Sequence, residues 1–420
     1  MQIRKEPSAH LTYCLNVHPG EELADQMAAI QDHAAVIRDL VAPGHGFGLG
    51  LRIANEASLE LDSSASLLAM NKLLAKHHLY AFTINGFPYG AFHGTKVKEA
   101  VYQPDWRTAA RREYTCRLAR QLASLLPATG KADCIVLHEK HRKSPIPCVP
   151  SGSISTVPGS YKAWIQTEED VALMVNQLTD TAAFLAKLLI ETGREIHLGL
   201  EPEPDCYLET TAEVIAFFNE HLLPRGIERL QRTIGCTTAE AEEMLRRHIG
   251  VCFDTCHLTL QFEDLGASLR LLAANGIRIS KIQISAAIRT SWTPEAVESL
   301  RRFCDPVYLH QVKTRVDGRP VSRGDLADAL AAPVSVGQKQ GEEWRVHFHV
   351  PLYFIQDGPL ASTTDQLTPE FFKTALELGV EHFEIETYTF NVLPEALRSL
   401  GIDHSVAEEY RWVLARLPKI

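Results

Sequence analysis

Eight short apolar runs alternate with amphipathic helical segments, no low-complexity linker divides the chain, and acidic residues stand at the ends of successive runs. These observations predict an α/β chain folded as one (β/α)8 barrel of the TIM type over residues 1–420. Strand–helix alternation without a linker is the pattern of a parallel sheet wrapped by helices. A doubly wound open sheet is the competing architecture, since periodicity does not report closure. No short-period repeat of the solenoid kind is present.

The first run covers residues 11–17, and a helix over 21–40 follows, with Leu23, Met27, Ile30, Ala34 and Ile37 at helical spacing. The second run, 46–54, precedes a helix over 65–76. The third, 79–84, ends in the loop sequence Asn85-Gly86-Phe87-Pro88. A helix over 106–126 leads to the fourth run, 134–137, and a loop rich in proline, glycine and serine covers 139–159. Thr167 with Asp170 forms a capping pattern for a long helix that Gly193 ends. The fifth run is 196–200; helices over 212–223 and 238–248 precede the sixth, 249–253. The seventh, 279–284, leads to a helix opened by Thr293-Pro294-Glu295. Residues 290–360 then break the repeat, with strands at 307–316 and 344–352 around a short helix at 326–331, and are taken as an insertion between strands seven and eight. Thr368-Pro369-Glu370 opens another helix, 382–385 is the eighth strand, and a helical segment closes the chain.

Hydrophobic residues make up 45% and charged residues 22% of the chain, the balance of a globular protein with a core. The formal charge of −10, from 42 basic and 52 acidic residues, disfavours nucleic acid as a partner. The nine cysteines show no disulfide framework, which points to reduced thiols and a cytoplasmic setting. Met1-Gln2-Ile3-Arg4-Lys5-Glu6 holds no apolar signal core. No uninterrupted apolar run approaches the roughly 18–20 residues of a membrane span. A small-molecule substrate is therefore the expected partner.

Side chains alternate along a strand. In the fifth run Ile196, Leu198 and Leu200 face the helices, while His197, Gly199 and Glu201 face the barrel axis. The same alternation turns Cys252 and Asp254 inward in the sixth run, Lys281, Gln283 and Ser285 in the seventh, and Glu384 and Glu386 in the eighth. Four consecutive strands thus deliver Glu201, Asp254, Gln283 and Glu386 to the rim where barrels of this type gather their chemistry. An oxygen-only set suits Mg²⁺ or Mn²⁺ better than a structural zinc. Any one of these acids alone is more simply a loop-start residue or a helix cap; four at matching positions argue for a site.

Val251-Cys252-Phe253-Asp254-Thr255-Cys256-His257 resembles the strand-six motif of the xylose isomerase-like and endonuclease IV-like TIM barrels. The resemblance implies Asp254 as a metal ligand and His257 as a ligand or substrate contact. It matches Glu201, in Leu200-Glu201-Pro202, to the strand-five ligand and Glu386, in Glu384-Ile385-Glu386, to the strand-eight ligand. Lys281-Ile282-Gln283-Ile284 is similar to strand seven of hydroxypyruvate isomerase-like and inosose dehydratase-like members, which use glutamine where endonuclease IV and many epimerases use histidine. Through Leu11-Thr12-Tyr13-Cys14-Leu15-Asn16-Val17-His18-Pro19-Gly20 the chain resembles the EboE family of metabolite traffic proteins. That family implies a role with a small secondary metabolite. Superfamily barrels often form dimers or tetramers, though no sequence feature here requires a homo-oligomer.

Further candidates surround this set. His138, after strand four, and Lys140 and Arg142 in the loop behind it are candidates for substrate binding, as is His18 after strand one. His310 and His349 are additional candidate ligands on the insertion, where endonuclease IV-like members carry extra zinc ligands. His347 ranks lower, as a residue deeper in its strand. Asn85-Gly86-Phe87-Pro88-Tyr89-Gly90 is either an aromatic wall for a sugar or a plain turn.

The expected function is a sugar isomerase or epimerase dependent on Mn, Mg or Zn. Glu201 and Glu386 would combine ligation with proton transfer through an enediolate, and His257 would orient a hydroxyl. A lyase begins with the same proton abstraction. A non-catalytic carrier and a metal-dependent hydrolase of the endonuclease IV type are the alternatives.

Overall fold

The computed structural model describes residues 1–91, 98–127, 149–331 and 342–418. Eight parallel strands form the barrel: β1 (Ala9–Tyr13), β2 (Phe47–Arg52), β3 (Leu79–Asn85), β4 (Ser151–Thr156), β5 (Glu195–Leu200), β6 (Ile249–Asp254), β7 (Arg278–Ile284) and β8 (His382–Ile385). They are hydrogen-bonded in sequence from β2 to β8 and on to β1, and a parallel bridge between Cys14 and Gly50 brings β1 beside β2. A short strand, Gln2–Arg4, adds antiparallel to β1.

The expected fourth run, 134–137, lies outside the described residues, and the place between β3 and β5 belongs to Ser151–Thr156. The loop expected over 139–159 therefore contains a barrel strand. Apolar periodicity misses it because its inward side chains are hydroxyls serving a polar barrel floor. Ser151 donates to Glu381 at 2.7 Å, and Ser153 donates to Thr83 at 2.8 Å. The first run also ends early: β1 stops at Tyr13, and Leu15–Val17 is a 3-10 turn.

The helices follow their capping signals. Thr167 and Asp170 cap Glu168–Thr192 reciprocally, and Gly193 ends it at a φ of 68°, where only glycine is free of strain. By length and composition this helix is apolar enough to cross a membrane, unlike the sequence expectation. Its buried residues, among them Val171, Met174, Val175, Leu178, Ala182 and Leu185, form the stripe that packs on β5 and the helix Ala109–Leu125.

Below the rim the barrel interior is charged. Lys281 on β7 and Glu384 on β8 form a fully buried ion pair of 2.5 Å. Gly50 makes room for it: a Cβ there would stand 2.1 Å from Glu384 Oε1.

Between β7 and β8 the chain builds a second, antiparallel sheet from Ile288–Ser291, Gln311–Val316, Arg319–Asp325, Glu343–Val346, Gln356–Asp357 and Leu360–Ser362. The strand expected over 344–352 stops at Val346; the His347 amide still donates to the Gln311 carbonyl at 2.9 Å, and the Val350 amide donates to the Ala286 carbonyl at 3.1 Å. The C-terminal helix, Ile402–Leu414, anchors this segment: Glu409 Oε1 accepts from the Leu352 amide at 3.1 Å and from the Thr387 hydroxyl at 2.6 Å.

Burial pushes the Glu409 carboxyl from its ordinary 4.5 up to about 7. The folded chain therefore holds this proton more tightly than the unfolded one. The resulting stabilisation is complete below the ordinary value and is lost as pH rises through about 7. Glu409→Gln keeps an acceptor for both donors and removes the ionisation. It should unfold in urea like wild type at pH 4 and be the more stable protein at pH 8, by up to about 3 kcal/mol. An equal difference at both pH values would contradict this assignment.

Candidate metal centre

At the C-terminal ends of β5, β6 and β8, the carboxylates of Glu201, Asp254 and Glu386 converge, each offering an oxygen within 4.8 Å of the others. All three are buried. Asp254 Oδ1 accepts from the His257 amide at 3.0 Å and from the Ser285 hydroxyl at 2.8 Å. Glu386 Oε1 accepts from the side-chain amides of Asn16, 2.7 Å, and Asn85, 2.8 Å. Glu201 Oε2 and Asp254 Oδ2 are buried without a hydrogen-bond partner. Burial and the neighbouring carboxylates hold Glu201 and Glu386 well above the usual carboxylate range. Three acids so placed repel one another until a cation joins them.

Beside them three imidazoles meet. His257 Nε2 lies 3.1 Å from His347 Nε2, which lies 3.2 Å from His349 Nε2. The hydrogen bonds on the opposite ring nitrogens fix the tautomers. His257 Nδ1 faces the Pro202 carbonyl at 3.1 Å, and His349 Nδ1 faces the Glu386 carbonyl at 2.9 Å. A carbonyl only accepts, so both Nδ1 atoms carry the proton. His347 Nδ1 meets Gln311 Oε1 at 2.5 Å. Gln311 Nε2 donates to the Pro204 carbonyl at 3.0 Å, which settles which end of the amide is nitrogen.

All three Nε2 atoms are therefore lone pairs pointed at one another. A proton is a poor remedy, because burial and the neighbouring imidazoles push His347 well below the ordinary range, and burial pushes His349 down to about 4. Imidazole nitrogens with the far nitrogen held by a carbonyl or amide are the usual arrangement of metal-bound histidine. The donors fit a divalent cation: the carboxylate half suits a hard ion, and the histidine half suits zinc. Asp254 belongs to both halves, being within reach of Glu201 and Glu386 and also of His257 and His349.

The two halves line a cavity of about 60 Å³. Asn16, Asn85, Glu201, Glu203, His257, His347 and Glu386 form its polar side, and Phe87, Tyr102, Tyr308 and Tyr388 its aromatic side. The end of β3 and the loop after it thus contribute Asn85 and Phe87 to the wall.

The structure brings together Glu201, Asp254, Glu386, His257 and His349 from the residues singled out in the sequence. Gln283 is buried in register with Asp254, but its Oε1 accepts from the Cys252 thiol at 3.0 Å and its Nε2 has no partner. His310 is set apart: its Nδ1 faces the His347 carbonyl at 2.7 Å and its Nε2 the Asp305 carboxylate, so both ring nitrogens are already engaged. His18 is no cavity residue either; it is stacked on His33 and hydrogen-bonded to the Tyr13 hydroxyl. Tyr13 lies on the helix-facing side of β1, against Tyr410, and takes His18 with it. His138, Lys140 and Arg142 lie outside the described residues.

Sequence reasoning ranked His347 too low, because the strand thought to bury it ends one residue earlier. It passed over Glu203, whose signal was there: the proline-separated Glu201-Pro202-Glu203-Pro204 turns both carboxylates toward the site. It also passed over Asn16 and the Cys256 thiol, which is within ligand reach of His347 and His349.

No family model matches the chain, and no curated protein matches it. Among solved structures, the fold is similar to a xylose isomerase-like TIM barrel protein from Mycobacterium smegmatis in complex with magnesium, at 11% identity over 97% of this chain and 96% of that one, with a TM-score of 0.47. It is similar to the IOLI protein with a bound zinc atom, at 11% identity over 98% and 100%, TM-score 0.45. It is also similar to an AP endonuclease, family 2, from Brucella melitensis, at 11% identity over 94% and 97%, TM-score 0.41. At such identities and scores, the roles of this chain's residues rest on its own geometry.

Proposed function

We propose that the chain is a metal-dependent enzyme that moves a proton between adjacent carbons of a small sugar, polyol or hydroxy-carbonyl metabolite, as an isomerase or epimerase does. The observation that carries this reading is the asymmetry of the two glutamates at the cavity. Glu386 is held by two amide donors on one oxygen, whereas Glu201 keeps a buried oxygen with no partner. Glu201 is the group free to take a proton, and burial already raises its affinity for one. Glu386, fixed in orientation and itself disposed to hold a proton, delivers that proton to the neighbouring carbon from its own side. His257, in the lining of the same cavity, orients a hydroxyl. A divalent cation supplies polarisation of a carbonyl or hydroxyl when bound.

Glu201→Gln should lower turnover of a responsive ketose or aldose by roughly 10²–10⁴-fold and stop deuterium uptake from solvent at the carbon beside the carbonyl. Uptake that persists in the variant would remove Glu201 from this role. Wild-type protein that binds such compounds without exchange would support a carrier, the role suggested by the resemblance of residues 11–20 to the EboE family.

The histidine triangle favours one second reading, hydrolysis of a phosphoester between two cations. Against it stand the charge of −10 and a cavity whose described lining holds Lys98 as its one lysine or arginine, already paired with Asp325 at 2.5 Å. A cytoplasmic setting completes the proposal, supported by the seven cysteines among the described residues, all free thiols.

A further inference from the structure

His347 is carried by the insertion, Glu203 by the loop after β5, and Tyr102 by the short helix Lys98–Tyr102, so no single element sets their positions. A directed chain of hydrogen bonds does. His347 Nδ1 donates to Gln311 Oε1 at 2.5 Å; Gln311 Nε2 donates to the Tyr102 hydroxyl at 3.0 Å; the Tyr102 hydroxyl donates to Glu203 Oε1 at 2.9 Å.

The direction is forced at every step. Gln311 Nε2 also faces the Pro204 carbonyl, which fixes the amide. With Nε2 donating, the tyrosine oxygen accepts, and its one proton is left for the carboxylate. All four side chains are buried, where a donor left unpaired is costly. The far end returns to its start: Glu203 Oε1 lies 3.8 Å from His347 Nδ1, and Glu203, His257 and His347 form one potential ligand group.

We infer that Gln311 and Tyr102 are positioning residues of the metal centre: their one-way relay locks His347 in the tautomer whose Nε2 can bind a metal and holds Glu203 as an acceptor-only carboxylate facing the same cation. This rests on the proposed metal-dependent function. It goes beyond that function by assigning Glu203 to the histidine half and by naming the two residues that couple the insertion to the barrel.

The test is zinc affinity of the apoproteins by chelator competition, with apoprotein melting temperature as the control for folding. Gln311→Leu should weaken zinc binding roughly 10–100-fold, the loss typical when a partner that orients a ligand is removed. Tyr102→Phe should weaken it less, since it frees Glu203 and leaves His347 locked. Gln311→Glu keeps an acceptor for His347 but draws the tyrosine proton away from Glu203, so it should behave like Tyr102→Phe and not like Gln311→Leu. Zinc binding by folded Gln311→Leu as tight as wild type's would overturn the relay.

If wild type binds neither zinc nor manganese, the proposed function fails instead. The ring ¹⁵N shifts of His347 then decide the relay. A proton on Nδ1 in wild type, redistributed in Gln311→Leu, supports it, and a proton on Nε2 in wild type overturns it.

Discussion

Lys281→Met should destabilise the fold by about 3–5 kcal/mol, the cost of leaving a buried charge without its partner. Lys281 and Glu384 are both wholly buried, 2.5 Å apart, and the second oxygen of Glu384 has no hydrogen bond. Burial alone would discharge the lysine. The Glu384 carboxylate outweighs it and holds the ammonium above its ordinary range. Without the lysine, Glu384 would be an unpaired anion beneath Glu201 and Glu386, whose charges already repel it. Lys281→Met with Glu384→Gln removes both charges and should recover most of the loss. Urea unfolding of the single and double variants checks the pair. A single-variant loss no larger than that of a typical surface substitution, about 0.5 kcal/mol, would show that the pair adds nothing.

Asp254→Asn should cut metal affinity while the apoprotein still folds. Asparagine can still accept from the His257 amide and the Ser285 hydroxyl, so the local turn survives. The charge shared by both halves of the centre is lost. Zinc or manganese affinity should fall by more than about 100-fold, beyond the loss expected for a residue that only orients a ligand. The apoprotein should still unfold cooperatively, because asparagine keeps both hydrogen bonds. Chelator competition and thermal unfolding, run on the same preparations, check both. A less stable variant with unchanged metal affinity would make Asp254 a structural cap and nothing more.

Alternation along the strands was enough to place Glu201, Asp254 and Glu386 on one rim, because β5, β6 and β8 carry apolar residues on the helix-facing side that mark the phase. The fourth strand was illegible for the opposite reason. Ser151, Ser153 and Ser155 face a polar interior, and the only large apolar residue of that strand is Ile154. His347 was legible as a partner of His349 on one face but was misjudged, since its role depends on where Val346 stops pairing, a matter of sheet register. The pairing of Gln311 with Tyr102 bridges residues 209 positions apart. No local pattern in a single sequence carries that contact. His18 shows the converse: a histidine next to a strand end that tertiary packing turns toward the helices.

The central claim is a metal centre with adjoining carboxylate and histidine halves, and elemental analysis of purified protein supplied with zinc and manganese tests it most directly. The claim predicts about two ions per chain in wild type, one for each half. His349→Ala should lose the ion of the histidine half, and Asp254→Asn should be depleted of both. Wild-type protein that retains no metal under either supply would contradict it.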